Sequence, residues 1–237
     1  MKIGGFQRFS LLDYPGELSA IVFTQGCNFR CPYCHNPELV LPQIYNTPLN
    51  TEKVLRFLYR RRRKLSAVVV TGGEPTLQED LIDFLKLLKA MRFKVKLDTN
   101  GSMPEVLTKV LYAKAVDYIA MDLKAPLPLY RKLTRSEVEP ADILRSMELI
   151  RLSGVAYEFR TTVAPEIIFG EDLYEIRSLL KEGDNYYVQA CRYATTLEDL
   201  KAHDIPSVEL TQNPDIRELS RWAEEHKVHL ALRGAGR

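Results

Sequence analysis

Cys27, Cys31 and Cys34 fall within eight positions and form the pattern C-x3-C-x2-C in the loop Cys27-Asn28-Phe29-Arg30-Cys31-Pro32-Tyr33-Cys34-His35. Three thiolates from one short loop can hold three corners of a cubic 4Fe-4S cluster and leave the fourth iron without a protein ligand. Other chemistries fit parts of the same string. Cys31-Pro32-Tyr33-Cys34 has the spacing of a thioredoxin-like dithiol, which leaves Cys27 unexplained. Cys31 to His35 matches the C-x-x-C-H pattern of haem attachment, which usually needs export. A Cys3His zinc site would need the adjacent Cys34 and His35 to reach one tetrahedral ion.

Further chemistry-bearing residues recur downstream. Gly72-Gly73-Glu74-Pro75 is a glycine turn that lacks the Lys and Ser/Thr of a phosphate loop. Asp98 and Asn100 form one pair two residues apart, and Asp122 and Lys124 another; at that spacing on a strand both members of a pair point the same way. Their plainer readings are a turn at Asn100-Gly101 and a surface ion pair. Cys191 stands alone and reads as a small buried residue. Arg60 to Lys64 is a basic run that reads as a solvated face complementing a helix dipole, or as a docking point for an acidic partner. His35 is placed either to tune a cluster by hydrogen bonding or to serve as an ordinary loop residue.

The elements that must position these residues alternate. LSAIVFTQ from Leu18 is a β-rich run that stops at Gly26, where the cysteine loop begins. NTEKVLRFLYRRRRK opens with a capping residue and carries Val54, Leu55 and Leu58 at helical spacing. AVVVTGGEP, KVKLDTNG and DYIAMDLKAP read as strands, separated by the helical LQEDLIDFLKLLKAM and MPEVLTKVLYAK. PADILRSMELIRLSG, AYEFRTTV, EDLYEIRSLLKEG, NYYVQA, IRELSRWAEEH and VHLAL continue the alternation, giving about six β/α units. Right-handed crossovers then imply a parallel sheet, and the useful residues follow strand after strand, as they do at the active rim of a parallel barrel. The expected fold is α/β, a partial (β/α)6 TIM-type barrel, with residues 1–237 forming one domain with short N-terminal and C-terminal extensions.

The formal net charge of +2 suggests neither nucleic acid nor an anionic membrane as a partner. The first residues carry Asp13 and Glu17 and lack the apolar run of a secretory signal, and no stretch of about 18 apolar residues occurs. The expected location is cytoplasmic, where clustered cysteines favour a metal or redox site over a disulfide framework.

The C-x3-C-x2-C loop after the first of these strands resembles that of the radical S-adenosylmethionine superfamily, and the likeness extends over most of the chain. It implies a 4Fe-4S cluster on Cys27, Cys31 and Cys34, whose open iron chelates the amino and carboxylate groups of S-adenosylmethionine. One electron then yields methionine and a 5'-deoxyadenosyl radical; the cofactors supply the difficult chemistry and the protein orients and shields it. The resemblance further implies that Gly72, Gly73 and Glu74 line the methionine amino group. The DTNG and DLK strings resemble those of glycyl-radical-enzyme activases, which implies that Asp98, Asn100, Asp122 and Lys124 hold the methionine end. Tyr33 matches the residue that meets the adenine, and Arg160 a basic residue near the cofactor carboxylate. Where pyruvate formate-lyase activases have a histidine, this chain has Gln189.

Gly5 to Gly16, Phe23 to Cys27 and Tyr33 to Glu38 together resemble the longer form of anaerobic ribonucleoside-triphosphate reductase activating proteins. That implies a partner reductase on which the radical takes a hydrogen from one glycine Cα, leaving a glycyl radical. Four cysteines leave no ligands for a second cluster, so the electron is expected from an external flavodoxin or ferredoxin. The alternatives are a radical enzyme acting on another glycyl radical enzyme, a small molecule or RNA, and, from another class, a non-catalytic iron-sulfur electron-transfer module.

Overall fold

The computed structural model describes residues 1–164, 167–168, 170–191, 196–197 and 210–233. Eight strands lie in one sheet in chain order: β1 (Ile3–Ser10), β2 (Ser19–Thr24), β3 (Ala67–Gly72), β4 (Lys94–Thr99), β5 (Tyr118–Asp122), β6 (Ala156–Val163), β7 (Asn185–Ala190) and β8 (His229–Arg233). β1 runs antiparallel to β2, and every later neighbouring pair is parallel. The helices are α1 (Pro37–Val40), α2 (Thr51–Arg61), α3 (Leu81–Ala90), α4 (Pro104–Tyr112), α5 (Tyr130–Thr134), α6 (Pro140–Leu152), α7 (Glu171–Arg177) and α8 (Pro214–Glu225). The seven strands expected from the pattern are β2 to β8. β1 is additional: Gly4 and Gly5 interrupt it, and Gln7, Arg8 and Phe9 are all exposed, so the run lacks the alternation that marks a strand.

Each crossover helix turns an apolar face onto the sheet. Leu85 and Leu88 of α3, Leu107 and Val110 of α4, and Met147 and Ile150 of α6 join Val68, Val70, Val95, Leu97, Ile119 and Phe159 in one core. Local signals fix where the helices begin. The Asn50 side chain accepts a 2.9 Å hydrogen bond from the Lys53 amide at the start of α2, and Asn213 caps α8 ahead of Pro214; each cap is worth about 1 kcal/mol.

The sheet curls, because side chains from strands that are not neighbours meet on its concave side. Lys96 of β4 lies 3.6 Å from Glu158 of β6, and Arg233 of β8 lies 2.7 Å from the same carboxylate. Among the described residues no strand pairing joins β8 to β1, so the barrel is partial.

Candidate active site

The chain leaves β2 through Gly26, whose φ of +106° suits glycine, and enters the cysteine loop. Arg30 folds back so that Nη1 donates to the carbonyls of Cys27 (2.7 Å) and Phe29 (2.8 Å), while its amide donates to the Thr134 carbonyl at the end of α5 (2.7 Å). The Phe29 ring packs edge-on against Tyr130. Asn28 donates to Ser102 Oγ (2.8 Å) and accepts from the Asn100 side-chain amide (2.9 Å), which ties the loop to the end of β4. These contacts hold the loop against α5 and the end of β4. Burial pushes the Cys27 thiol up to about 12, with the Glu74 charge adding to it, and burial pushes Cys31 up to about 11. Sulfurs in such surroundings become thiolates only opposite strong positive charge, which iron supplies.

Gly72 and Gly73 are required by backbone proximity. A Cβ on Gly72 would lie 2.3 Å from the Thr24 amide nitrogen, and one on Gly73 would lie 2.0 Å from the Gly26 carbonyl oxygen. Glu74 is buried and its carboxylate accepts from Thr76 N (3.0 Å), Thr76 Oγ1 (2.5 Å), Thr99 Oγ1 (2.8 Å) and Asn100 N (2.7 Å). It clasps the end of β4 to the turn after β3. Burial raises its pKa despite these four donors.

The ends of β4 and β5 carry the charged residues. Lys124 Nζ donates to Asp122 Oδ2 at 3.0 Å, and Arg160 Nε donates to Asp122 Oδ1 at 2.8 Å. Burial pushes Asp122 upward, but the Arg160 and Lys124 charges outweigh it and hold the carboxyl below the usual range. The turn after β5 is held by two buried tyrosines. Tyr33 OH donates to the Lys124 carbonyl (3.2 Å), and Tyr130 OH donates to the Asp122 carbonyl and accepts from the Lys124 amide, both at 3.2 Å.

These groups enclose a cavity of about 180 Å³. Its lining includes Cys27, Cys31, Cys34, Tyr33, Gly72, Gly73, Glu74, Asp98, Asn100, Asp122 and Lys124, together with His35, Thr162 and Gln189. Of the site residues expected from sequence, only Arg160 lies outside the lining, one layer behind Asp98 and Asp122. Cys191 is buried, with Sγ 3.4 Å from His35 Nε2. Sequence reasoning passed over Asn28, Thr99, Tyr130 and the lumen residues Lys96, Glu158 and Arg233. Charges inside otherwise apolar strands were the available signal for Lys96 and Glu158.

Three sulfurs lining one cavity with Asp98, Asp122 and Lys124 suit an iron-sulfur cluster beside a small zwitterionic ligand. A partial parallel barrel that carries such a site at the carboxyl ends of its strands defines a class of iron-sulfur enzymes that work through a bound small molecule. The chain belongs to the Radical SAM superfamily, whose profile matches residues 21–182. It is a radical SAM enzyme, and its cofactors are a 4Fe-4S cluster and S-adenosylmethionine. It is 30% identical over 239 residues to a putative glycyl-radical enzyme activating enzyme of Methanocaldococcus jannaschii, covering 98% of this chain and 95% of that one. It is 35% identical over 128 residues to the pyruvate formate-lyase-activating enzyme of Clostridium pasteurianum, over 52% of each. Among solved structures it resembles Streptococcus suis SuiB bound to precursor peptide SuiA, with a TM-score of 0.69 and 17% identity over 90% of this chain and 48% of that one. It also resembles anSMEcpe with bound AdoMet, with a TM-score of 0.65 and 14% identity over 89% of this chain and 61% of that one. This chain thus spans about half of SuiB, and these likenesses bear on the fold alone. Among the described residues, no helix is long and apolar enough to cross a membrane.

Proposed function

We propose that this protein activates a glycyl-radical enzyme, and that its partner is anaerobic ribonucleoside-triphosphate reductase. The observation that carries the reading is the convergence of three cysteines, the Gly72-Gly73 turn, Asp98, Asp122 and Lys124 on one cavity. The near full-length relative from Methanocaldococcus jannaschii supports the activase class. The block from Gly5 to Gly16, with its continuation through Glu38, supports the reductase as target.

Held by these residues, the cluster and S-adenosylmethionine would supply one-electron cleavage to methionine and a 5'-deoxyadenosyl radical able to take one hydrogen atom from a glycine Cα of the partner, giving 5'-deoxyadenosine. The residues here do the rest. Cys27, Cys31 and Cys34 hold the cluster. Asp98, Asn100, Asp122 and Lys124 would hold the methionine end of the ligand. Gly72 and Gly73 would present backbone to its amino group, and Tyr33 would border the adenine. A partner segment enters between β1 and β8, where no strand pairing closes the barrel among the described residues. The electron comes from an external flavodoxin or ferredoxin, and the reducing cytoplasm is the setting. The chain works as one domain.

The test is anaerobic cluster reconstitution followed by addition of S-adenosylmethionine, reductant and the reductase, read by electron paramagnetic resonance. A glycyl doublet that disappears in Cys27→Ala, Cys31→Ala or Cys34→Ala protein is the expected result. Formation of 5'-deoxyadenosine with no doublet would move the substrate elsewhere, and a cluster without 5'-deoxyadenosine would favour a plain electron-transfer module.

A further inference from the structure

The interior of a parallel barrel is ordinarily filled with branched apolar side chains. Here β4, β5, β6 and β8 send charged and polar groups into it. Glu158 is completely buried and accepts from Arg233 Nη1 (2.8 Å), Arg233 Nη2 (2.7 Å) and Tyr118 OH (2.9 Å). Lys96 Nζ lies 3.6 Å from it and Arg160 Nη1 3.9 Å. Lys96 also donates to the Asp13 carbonyl (2.7 Å), at the end of the barrel away from the cavity, and lies 3.3 Å from Asp98. Arg160 crosses the lumen from β6 and forks, Nε to Asp122 (2.8 Å) and Nη1 to Asp98 (3.2 Å). Its side chain is 12% exposed.

Three cations and three carboxylates are thus stacked from the barrel floor to the cavity. Such buried networks add little net stability compared with well-packed apolar side chains. What this one does that an apolar filling could not is hold two carboxylates at fixed angles in the cavity wall. The planar guanidinium suits that task, because one rigid fork reaches both Asp98 and Asp122 while Glu158 steadies it from behind.

We infer that Arg160, backed by Glu158, is a positioning residue that acts on bound S-adenosylmethionine only through Asp98 and Asp122. The inference rests on the reading of the cavity as the S-adenosylmethionine site. It replaces direct contact between Arg160 and the ligand carboxylate with an indirect role.

A double-mutant cycle decides between these roles. The dissociation constant for S-adenosylmethionine is measured by equilibrium dialysis on cluster-reconstituted wild type, Arg160→Gln, Asp122→Asn and the double variant. Iron content and melting temperature are checked for each. Arg160→Gln is expected to weaken binding about tenfold. In the Asp122→Asn background the same change should cost at most about threefold more, because its main partner is already neutral. Arg160→Lys should recover little, since one ammonium cannot bridge both carboxylates. Glu158→Gln should weaken binding about threefold with iron content unchanged. The perturbation of the reduced cluster's paramagnetic signal by S-adenosylmethionine should shrink in parallel. Full tenfold losses that simply multiply in the double variant would overturn the inference, as would wild-type affinity in Arg160→Gln. Wild-type affinity in Asp122→Asn would instead sink the reading of the cavity. Should Arg160→Gln fail to hold its cluster, Arg160→Lys takes its place in the cycle.

Discussion

Gly73 rests directly on Gly26: the Gly26 carbonyl accepts the Glu74 amide at 2.7 Å, and a Cβ on Gly73 would stand 2.0 Å from that same oxygen. The turn after β3 and the entry to the cysteine loop are therefore one packed backbone unit. Gly73→Ala must push the two apart, at a cost of about 3 kcal/mol. Gly154→Ala is the control: φ there is +71°, but nothing lies within 4 Å of the added methyl, so the cost is about 1 kcal/mol of backbone strain. Urea unfolding of the two metal-free variants checks the difference, and equal losses would show that the contact is not rigid.

Cluster ligation should separate the four cysteines. Replacement of Cys27, Cys31 or Cys34 by alanine is expected to lower bound iron at least severalfold. Cys191→Ala should keep its iron, because that sulfur faces His35 and does not line the cavity. Iron and sulfide analysis after anaerobic reconstitution is the measurement. Loss of iron from Cys191→Ala would place that residue among the ligands.

Asp184 tests stability away from the site. It is buried and accepts from Arg151 Nε (3.0 Å), Arg151 Nη2 (2.7 Å), Tyr157 OH (2.8 Å) and the Lys181 amide (2.8 Å). Asp184→Ala takes the acceptor from four donors, although Arg151 keeps Glu148 and the Leu179 carbonyl, and about 3 kcal/mol of stability should go with it. Affinity for S-adenosylmethionine at a temperature where the variant is folded should stay within about twofold of wild type. A marked loss of affinity would mean that the lower barrel and the cavity are coupled.

The Arg233–Glu158 pair should show itself through pH. Burial pushes the Glu158 pKa up, but the Arg233 hydrogen bonds and the Lys96 and Arg160 charges bring it below the ordinary value. A depressed carboxyl contributes stability that is fully present above the unfolded pKa of about 4.3 and is lost as pH falls through the folded value. Arg233→Gln should therefore cost about 2 kcal/mol at pH 7, and the gap to wild type should narrow as pH drops below about 4. Denaturant unfolding of the metal-free proteins across that range is the check. A gap independent of pH would assign Arg233 a packing role, for which its place 3.7 Å from the Tyr187 ring centroid offers a basis.

The amino-acid sequence by itself determined the features that depend on near neighbours. Strand and helix alternation follows from hydrophobic period, Asn50 marks a helix start, and the cysteines, Gly72-Gly73-Glu74, Asp98 and Asn100, and Asp122 and Lys124 each sit within a few residues on one loop or strand end. Topology then brings them together, because successive parallel strands end at the same rim. Only the tertiary structure decided what lies behind that rim. Lys96, Glu158 and Arg233 are far apart in the chain, and their meeting depends on how tightly the sheet curls. The same holds for the His35 contact with Cys191, for Glu74 clasping β4, and for Arg160 standing behind the cavity wall. Periodicity says which face of a strand a residue occupies, whereas the partner it meets across the lumen is set by strand tilt and by the shape of every side chain in between.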